Sequence, residues 1–322
     1  MRIGIDMMGG DFAPLETTLG AIHARRELDT AHTLVLIGHE AEIRSIMTQH
    51  GADASAFEFV NTSEVIGMAE NPTKAFQQKP DSSITVGFHL LKEKKIEAFA
   101  SAGNTGAMMV GSMFAIKPVN GILRPAISSI VPKEDGGVGI LLDVGINADC
   151  KPEMLQQFAI LGSIFAEDVY RVANPRVGLM SIGEEDEKGN ILTKEANTLL
   201  KSTPHINFIG NLEGRDLFNN KADVIVCDGF TGNVMLKLAE SFYSLIRKRG
   251  LHDTYFDRFD FENYGGTPVL GVNSTVIIAH GISNAKAIKN MILHACDVAQ
   301  AGMPDKISRA LSEISLGEQL SK

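Results

Sequence analysis

Val138-Gly139-Ile140-Leu141-Leu142-Asp143-Val144-Gly145 is an apolar run that ends in a carboxylate and a glycine. A half-buried strand alternates apolar and polar residues. This run does not, and so reads as a strand covered on both faces. The form recurs: Thr33-Leu34-Val35-Leu36-Ile37 and Val224-Ile225-Val226 are also apolar throughout. Further runs rich in β-branched and apolar residues span 2–6, 57–61, 97–101, 126–132, 176–183, 206–210 and 274–281, most of them closing on Gly, Ser, Asn or Asp. Helical signals lie between them. Over 81–95, Ile84, Phe88 and Leu91 recur at helical spacing, with Asp81 or Ser82 as N-cap. Pro152 takes a favoured first-turn position, ahead of an apolar face of Met154, Leu155, Phe158, Leu161 and Phe165. Ile288, Met291, Ile292, Ala295 and Val298 form a similar face. Strands alternating with helices predict an α/β fold with αβα layers around a largely parallel sheet. The expectation is a single unit over residues 1–322, with a small excursion around 240–266. In such sheets ligands sit beyond the carboxyl ends of the strands.

Hydrophobic residues make up 44% of the 322 and charged residues 21%, a globular balance that excludes disordered and collagen-like chains. Lys and Arg number 30 against 39 Asp and Glu, a net charge of -9. That charge lacks the overall field for non-specific nucleic-acid binding, so no nucleic-acid partner is expected. Cys150, Cys227 and Cys296 are far apart and show no CxxC or Cys/His ligand spacing. Neither a zinc site nor a disulfide framework is predicted, no metal or cofactor is expected, and a reducing, cytoplasmic compartment fits. Asp6 interrupts the apolar stretch that a signal peptide needs. Residues 98–116 carry no charge, but Ser101-Ala102-Gly103-Asn104-Thr105-Gly106 breaks them with a polar turn, against a membrane span.

GxGxxG, GxxxxGK[ST], GxSxG and HExxH are all missing from the sequence, so dinucleotide, P-loop, esterase and zincin chemistry lack their fingerprints. The strand ends carry polar groups instead. Asp6-Met7-Met8-Gly9-Gly10-Asp11 sets two carboxylates around a glycine pair, as a tight turn or a substrate contact. Ser101-Ala102-Gly103-Asn104-Thr105-Gly106-Ala107 opens a helix, where free N–H groups and the helix dipole suit phosphate. A capped turn is the competing reading. Asp143 and Asn147 end the run quoted first, and Cys150, with no basic partner in view, reads as a packed thiol. Glu184 and Lys188 follow the 176–183 run and lead to Lys194, as an anion site or a solvated face. Asp228 and Asn233 flank the turn before another helix, and His280 stands at a strand terminus beside Gly281.

Together these segments closely resemble the bacterial phosphate acyltransferases. The resemblance rests on Ile5-Asp6-Met7-Met8-Gly9-Gly10-Asp11, Ser101 to Ala107, Leu142-Asp143-Val144-Gly145, Cys150-Lys151-Pro152 and Ile182-Gly183-Glu184-Glu185. Phe208-Ile209-Gly210-Asn211-Leu212-Glu213-Gly214-Arg215-Asp216, Cys227-Asp228-Gly229-Phe230, Tyr264-Gly265-Gly266 and His280-Gly281 follow in family order. Phe12 departs from the pattern, standing where the family usually has His. The stretch 76–83 lacks the usual basic run, and the segment between Lys237 and Tyr264, linked in the family to membrane association, is shorter than usual.

The resemblance implies a homodimeric α/β/α enzyme, similar in fold to phosphotransacetylases and the isocitrate/isopropylmalate dehydrogenase group. Its reaction would take acyl groups from acyl carrier protein (ACP) to inorganic phosphate. The acyl phosphate would feed glycerol-3-phosphate acylation at the membrane, with peripheral association at its inner face. Phosphate arrives substantially ionised at neutral pH, so no Ser-His-Asp or Cys-His pair is required. In that chemistry Ser101, Gly103, Asn104, Thr105 and Gly106 are expected to hold phosphate. His280, Asp228 and Lys188 are the catalytic candidates, with His280 protonating the leaving thiolate. Asp6, Gly9, Gly10, Asp11, Asp143, Asn147, Glu184, Lys194 and Asn233 are the substrate-binding candidates. Two alternatives remain open: a short-chain phosphotransacylase using acyl-CoA, and a non-catalytic membrane scaffold for lipid-synthesis enzymes.

Overall fold

The computed structural model describes residues 1–320, with side chains to residue 314. Its strands are β1 (Arg2–Asp6), β2 (Thr33–Gly38), β3 (Glu58–Asn61), β4 (Ala98–Ser101), β5 (Ala126–Pro132), β6 (Val138–Leu142), β7 (Arg176–Met180), β8 (Asn207–Leu212), β9 (Val224–Val226), β10 (Thr267–Leu270) and β11 (Thr275–Ile278). Its helices are α1 (Leu15–Glu27), α2 (Glu40–Gln49), α3 (Pro72–Gln78), α4 (Ser83–Lys92), α5 (Thr105–Gly111), α6 (Pro152–Asp168), α7 (Ile191–Ser202), α8 (Gly229–Lys248), α9 (Ala285–Ala301) and α10 (Met303–Leu320). The backbone gathers into two compact units. One is Met1–Pro118 with Phe261–Gln300; the other is Val119–Asp260 with the chain from Ala301 onward.

In the first unit the strand order is β3-β2-β1-β4-β11-β10. Pairing is parallel except for β10 against β11. In the second unit the order is β5-β6-β9-β7-β8, parallel except for β5 against β6. The largely parallel α/β fold expected from the apolar runs is therefore present. Every residue of β4, β9 and β11 is buried. Successive strand side chains point to opposite faces, so both faces of these strands are covered.

The helices form where caps and spacing direct. Ser82 caps α4, its hydroxyl accepting from Thr85 N, and Ile84, Phe88 and Leu91 are buried. Phe88 meets Phe99 of β4 edge-to-face at 5.2 Å. Pro152 opens α6, and its apolar face from Met154 to Phe165 is buried. β10 has no counterpart in the sequence reading. Pro268 sits inside it, and a proline interrupts the pattern by which a strand is recognised. The 240–266 stretch holds the end of α8, two short 3-10 turns at Phe256–Phe259 and Phe261–Asn263, and Gly265-Gly266.

Candidate active site

In the first unit, β1 and β4 lie side by side and end in Asp6 and Ser101. The Ser101 hydroxyl donates to Asp6 Oδ2 at 2.6 Å and accepts from Gly103 N at 2.9 Å. Met8 N donates to Asp6 Oδ1 at 3.0 Å. Burial pushes the Asp6 carboxyl above its ordinary range, opposed by hydrogen bonds from Ser101, Ser83 and the Met8 and Gly9 backbone. Asp6 thus ties the 7–10 loop to the 101–104 loop. Gly9 is buried between the two loops, where a side chain has no room. Gly10 has φ +110°, a conformation L side chains rarely adopt.

The end of β11 completes this cluster. Ala279 N donates to the Ser101 carbonyl at 2.9 Å, and Asp11 N to the Gly281 carbonyl at 2.7 Å. His280 is half-buried there, its ring 4.7 Å from that of Phe261. Asn104 caps α5, accepting from Ala107 N at 3.0 Å. Its amide donates to the carbonyls of Gly67, Met68 and Glu70 at 3.0–3.2 Å. Thr105 is exposed, and neither its hydroxyl nor its N–H has a partner among the described residues.

Two expectations need correcting here. Asp6 and Ser101 have no exposed surface, and their polar atoms are spent on each other and on the loops. They shape the strand end and do not present groups to a ligand. The Asn104 amide is likewise fully committed to three carbonyls. Asn104 takes the Ala107 and Met108 N–H groups, so the donors left at the head of α5 are the Thr105 N–H and hydroxyl and the Gly106 N–H.

The second unit repeats the device. Asp143 follows β6, is fully buried, and accepts from Ile127 N at 3.1 Å, Ile146 N at 3.2 Å, and Asn147 N and Nδ2 at 2.6 and 3.0 Å. Burial raises its pKa, against those hydrogen bonds. Asn147 also donates to the Pro125 carbonyl at 2.8 Å. Gly229 N donates to the Asn147 carbonyl at 2.7 Å, and Asn233 Nδ2 to the Val144 carbonyl at 3.2 Å. Asp228 is the N-cap of α8, accepting from Thr231 N and Oγ1, both at 2.8 Å. Asp143, Asn147, Asp228 and Asn233 are therefore brought together. Asp143 and Asn147 are buried and shape the loop, while Asp228, the catalytic candidate, is half-buried with its carboxylate capping α8.

Glu184, at the end of the β7 segment, pairs with Lys221 at 2.9 Å and Arg215 at 3.7 Å. Lys188 and Lys194 are exposed and form no ion pair among the described residues. The Cys150 thiol donates to the Asn147 carbonyl at 3.3 Å, and burial pushes its pKa up to about 12. It is therefore a packed, protonated thiol, a poor nucleophile at neutral pH. The sequence reading missed Ser83 and the 67–70 carbonyls as supports of the first cluster. Neither bears a motif; both reach it through packing.

The profile of a family described as fatty acid synthesis protein matches residues 1–251 and 250–306. The phosphate acyltransferase of Dictyoglomus thermophilum is 44% identical over 334 residues, covering 98% of this chain and 99% of the relative. That of Syntrophomonas wolfei is 42% identical, covering 98% and 100%. The chain belongs to the phosphate acyltransferase family. Membership makes it an acyltransferase. Among solved structures, a phosphotransacetylase from Streptococcus pyogenes superposes with a TM-score of 0.70 at 16% identity, over 93% of this chain and 94% of that one. The EutD phosphotransacetylase from Staphylococcus aureus gives 0.67 at 17%, over 93% and 94%. At such identities the likeness concerns the fold alone, and it agrees with the phosphotransacetylase-like architecture expected of the family.

Proposed function

We propose that this phosphate acyltransferase family member moves an acyl group from the thioester of ACP to inorganic phosphate. A phosphate oxygen bonds to the acyl carbon, the carbon–sulfur bond breaks, and the phosphate proton ends on the carrier sulfur by way of His280. The products are acyl phosphate and the free carrier thiol. The nearly full-length likeness to phosphate acyltransferases carries this reading. The chemistry asks for a held anion and stabilisation of charge developing on the acyl oxygen, not for a protein nucleophile. The inert Cys150 and the open first turn of α5 suit that demand.

In this reading the Thr105 hydroxyl and the Thr105 and Gly106 N–H groups hold phosphate. His280 protonates the leaving sulfur, and Lys188 and Lys194 meet negative charge. A Thr105→Val enzyme is expected to raise the phosphate KM about tenfold with an unchanged melting temperature; an unchanged KM removes the cradle. His280→Ala is expected to slow turnover about tenfold or more and to alter its pH profile. A normal rate and profile removes the acid.

The deciding experiment is thiol release from palmitoyl-ACP with and without inorganic phosphate, trapping product as a hydroxamate. Phosphate-dependent release with trapped acyl phosphate is expected. Turnover of acyl-CoA but not acyl-ACP moves the donor to coenzyme A, and silence with both leaves the scaffold reading. The acyl phosphate product would supply glycerol-3-phosphate acylation.

The same reading includes a homodimer. Phe230, Val234, Leu238, Phe242 and Leu245 of α8 are each more than half exposed. Their spacing keeps them on about a third of the helix circumference. Exposed apolar stripes of this kind mark association surfaces, and a second copy is the proposed cover. Sedimentation velocity is expected to give a dimer; a monomer that floats with anionic vesicles would assign the stripe to a lipid surface instead. No helix among the described residues is long and apolar enough to cross a membrane, so membrane contact would be peripheral.

A further inference from the structure

Three large apolar side chains stand exposed around the first unit's strand-end cluster: Phe12 at 51%, Met68 at 44% and Ile282 at 57% of full exposure. They come from segments far apart in sequence that meet here, 11–12 and 281–282 through a backbone hydrogen bond and Met68 through side-chain contacts. Asp11, next to Phe12, donates its N–H to the carbonyl of Gly281, next to Ile282. A side chain built on Gly281 would lie 2.6 Å from the terminal methyl of Met68. The Asn104 amide, at the head of α5, donates to the Met68 carbonyl at 3.2 Å. The segments bearing Phe12, Met68 and Ile282 therefore form one rim beside the loop that opens α5, and the Asp11 carboxylate lies 3.7 Å from the same point on Gly281.

The fold gains little from this arrangement. The 101–104 loop is held by Asp6, Ser101 and Asn104, whose contacts are polar and complete without the three apolar side chains. Exposed apolar groups gathered at a polar strand end are the mark of a ligand with an apolar part. The family's chemistry supplies such a ligand. If phosphate is held at the start of α5, the acyl carbon must come within bonding reach of it, and the hydrocarbon must leave from that point across a neighbouring surface.

We propose that Phe12, Met68 and Ile282 seat the hydrocarbon chain of the acyl donor and set the preference of this enzyme for chain length. The inference rests on the acyltransferase reading above and adds the part of the protein that reads the substrate's tail.

The test compares wild type with Phe12→Ala, Met68→Ala and Ile282→Ala on butanoyl-, octanoyl- and palmitoyl-ACP, with inorganic phosphate and hydroxamate trapping. All three residues are exposed, so melting temperatures are expected to stay near wild type. Each variant is expected to lose about tenfold in kcat/KM on palmitoyl-ACP and less than about twofold on butanoyl-ACP. Phe12→His, which keeps a ring, is expected to shift the profile in the same direction. Wild-type turnover with an unaltered chain-length profile in all three alanine variants overturns the rim alone. Equal losses on every donor also overturn it, because they place these residues in a general structural role. No acyl phosphate from wild type with any donor overturns the acyltransferase reading and the rim with it.

Discussion

Gly9→Ala is expected to lower kcat/KM for acyl transfer by about a hundredfold. A methyl group at this position would sit 2.3 Å from Asp6 Oδ2, 2.7 Å from Gly103 N and 2.9 Å from Gly103 Cα. Two of those neighbours are backbone, so a side-chain rotation cannot relieve the contact. The 7–10 and 101–104 loops must separate, and the start of α5 moves with them. A misplacement of about 1 Å in a positioning element costs on the order of a hundredfold in rate. Overpacking of this kind also lowers stability, by about 1–3 kcal/mol. Gly214→Ala is the control: nothing lies within 4 Å of a side chain there, and its kinetics and melting are expected to match wild type. A Gly9→Ala enzyme with normal kcat and phosphate KM would detach these loops from the reaction.

Asp223→Ala is expected to cost about 3–5 kcal/mol of stability without touching either strand-end cluster. Asp223 binds Lys133 through one carboxylate oxygen, and Arg176 Nε and backbone N through the other, at 2.9 and 2.8 Å. The Lys133 side chain is only 4% exposed. Removing its partner leaves a buried ammonium with only a 3.3 Å contact to Asn220 Oδ1, and the uncompensated charge accounts for most of the loss. Thermal melting is the readout, and an unchanged midpoint would count against the account.

The same carboxylate predicts a pH dependence. Burial raises its pKa, but the hydrogen bonds from Arg176 and Lys133 outweigh burial and hold it down at about 2, against an ordinary 3.8. A pKa depressed in the folded state gives stability that is present above the ordinary value and is lost as pH falls toward the folded one. Wild type should therefore lose this contribution between about pH 4 and pH 2. Asp223→Ala should lack that component, so the gap between the two melting curves narrows on acidification.

The strand ends were legible because a parallel strand advertises itself locally. The runs at Thr33–Gly38 and Ala126–Pro132 were read with the bounds the structure gives them. The α4 cap, narrowed to Asp81 or Ser82, and the helix start at Pro152 needed only a few neighbouring residues to be recognised. The positions from which chemistry would be run followed from the same patterns, since ligands gather where parallel strands end. β10 escaped because its pattern contains Pro268.

What each polar side chain does at those positions was not legible. Asn104 and Ser101 read as donors for phosphate; folding spends the first on three carbonyls of the 67–70 loop and the second on Asp6, 95 residues away. Asp228, read as catalytic, is occupied three residues on as a helix cap. Thr105, with the same local credentials as Asn104, is left open. Hydrophobic periodicity is a property of adjacent residues, so it fixes strands, helices and their polar ends without reference to the rest of the chain. Whether a donor at such an end is used up or offered depends on which distant segment packs against it, and that is set only when the strands assemble side by side.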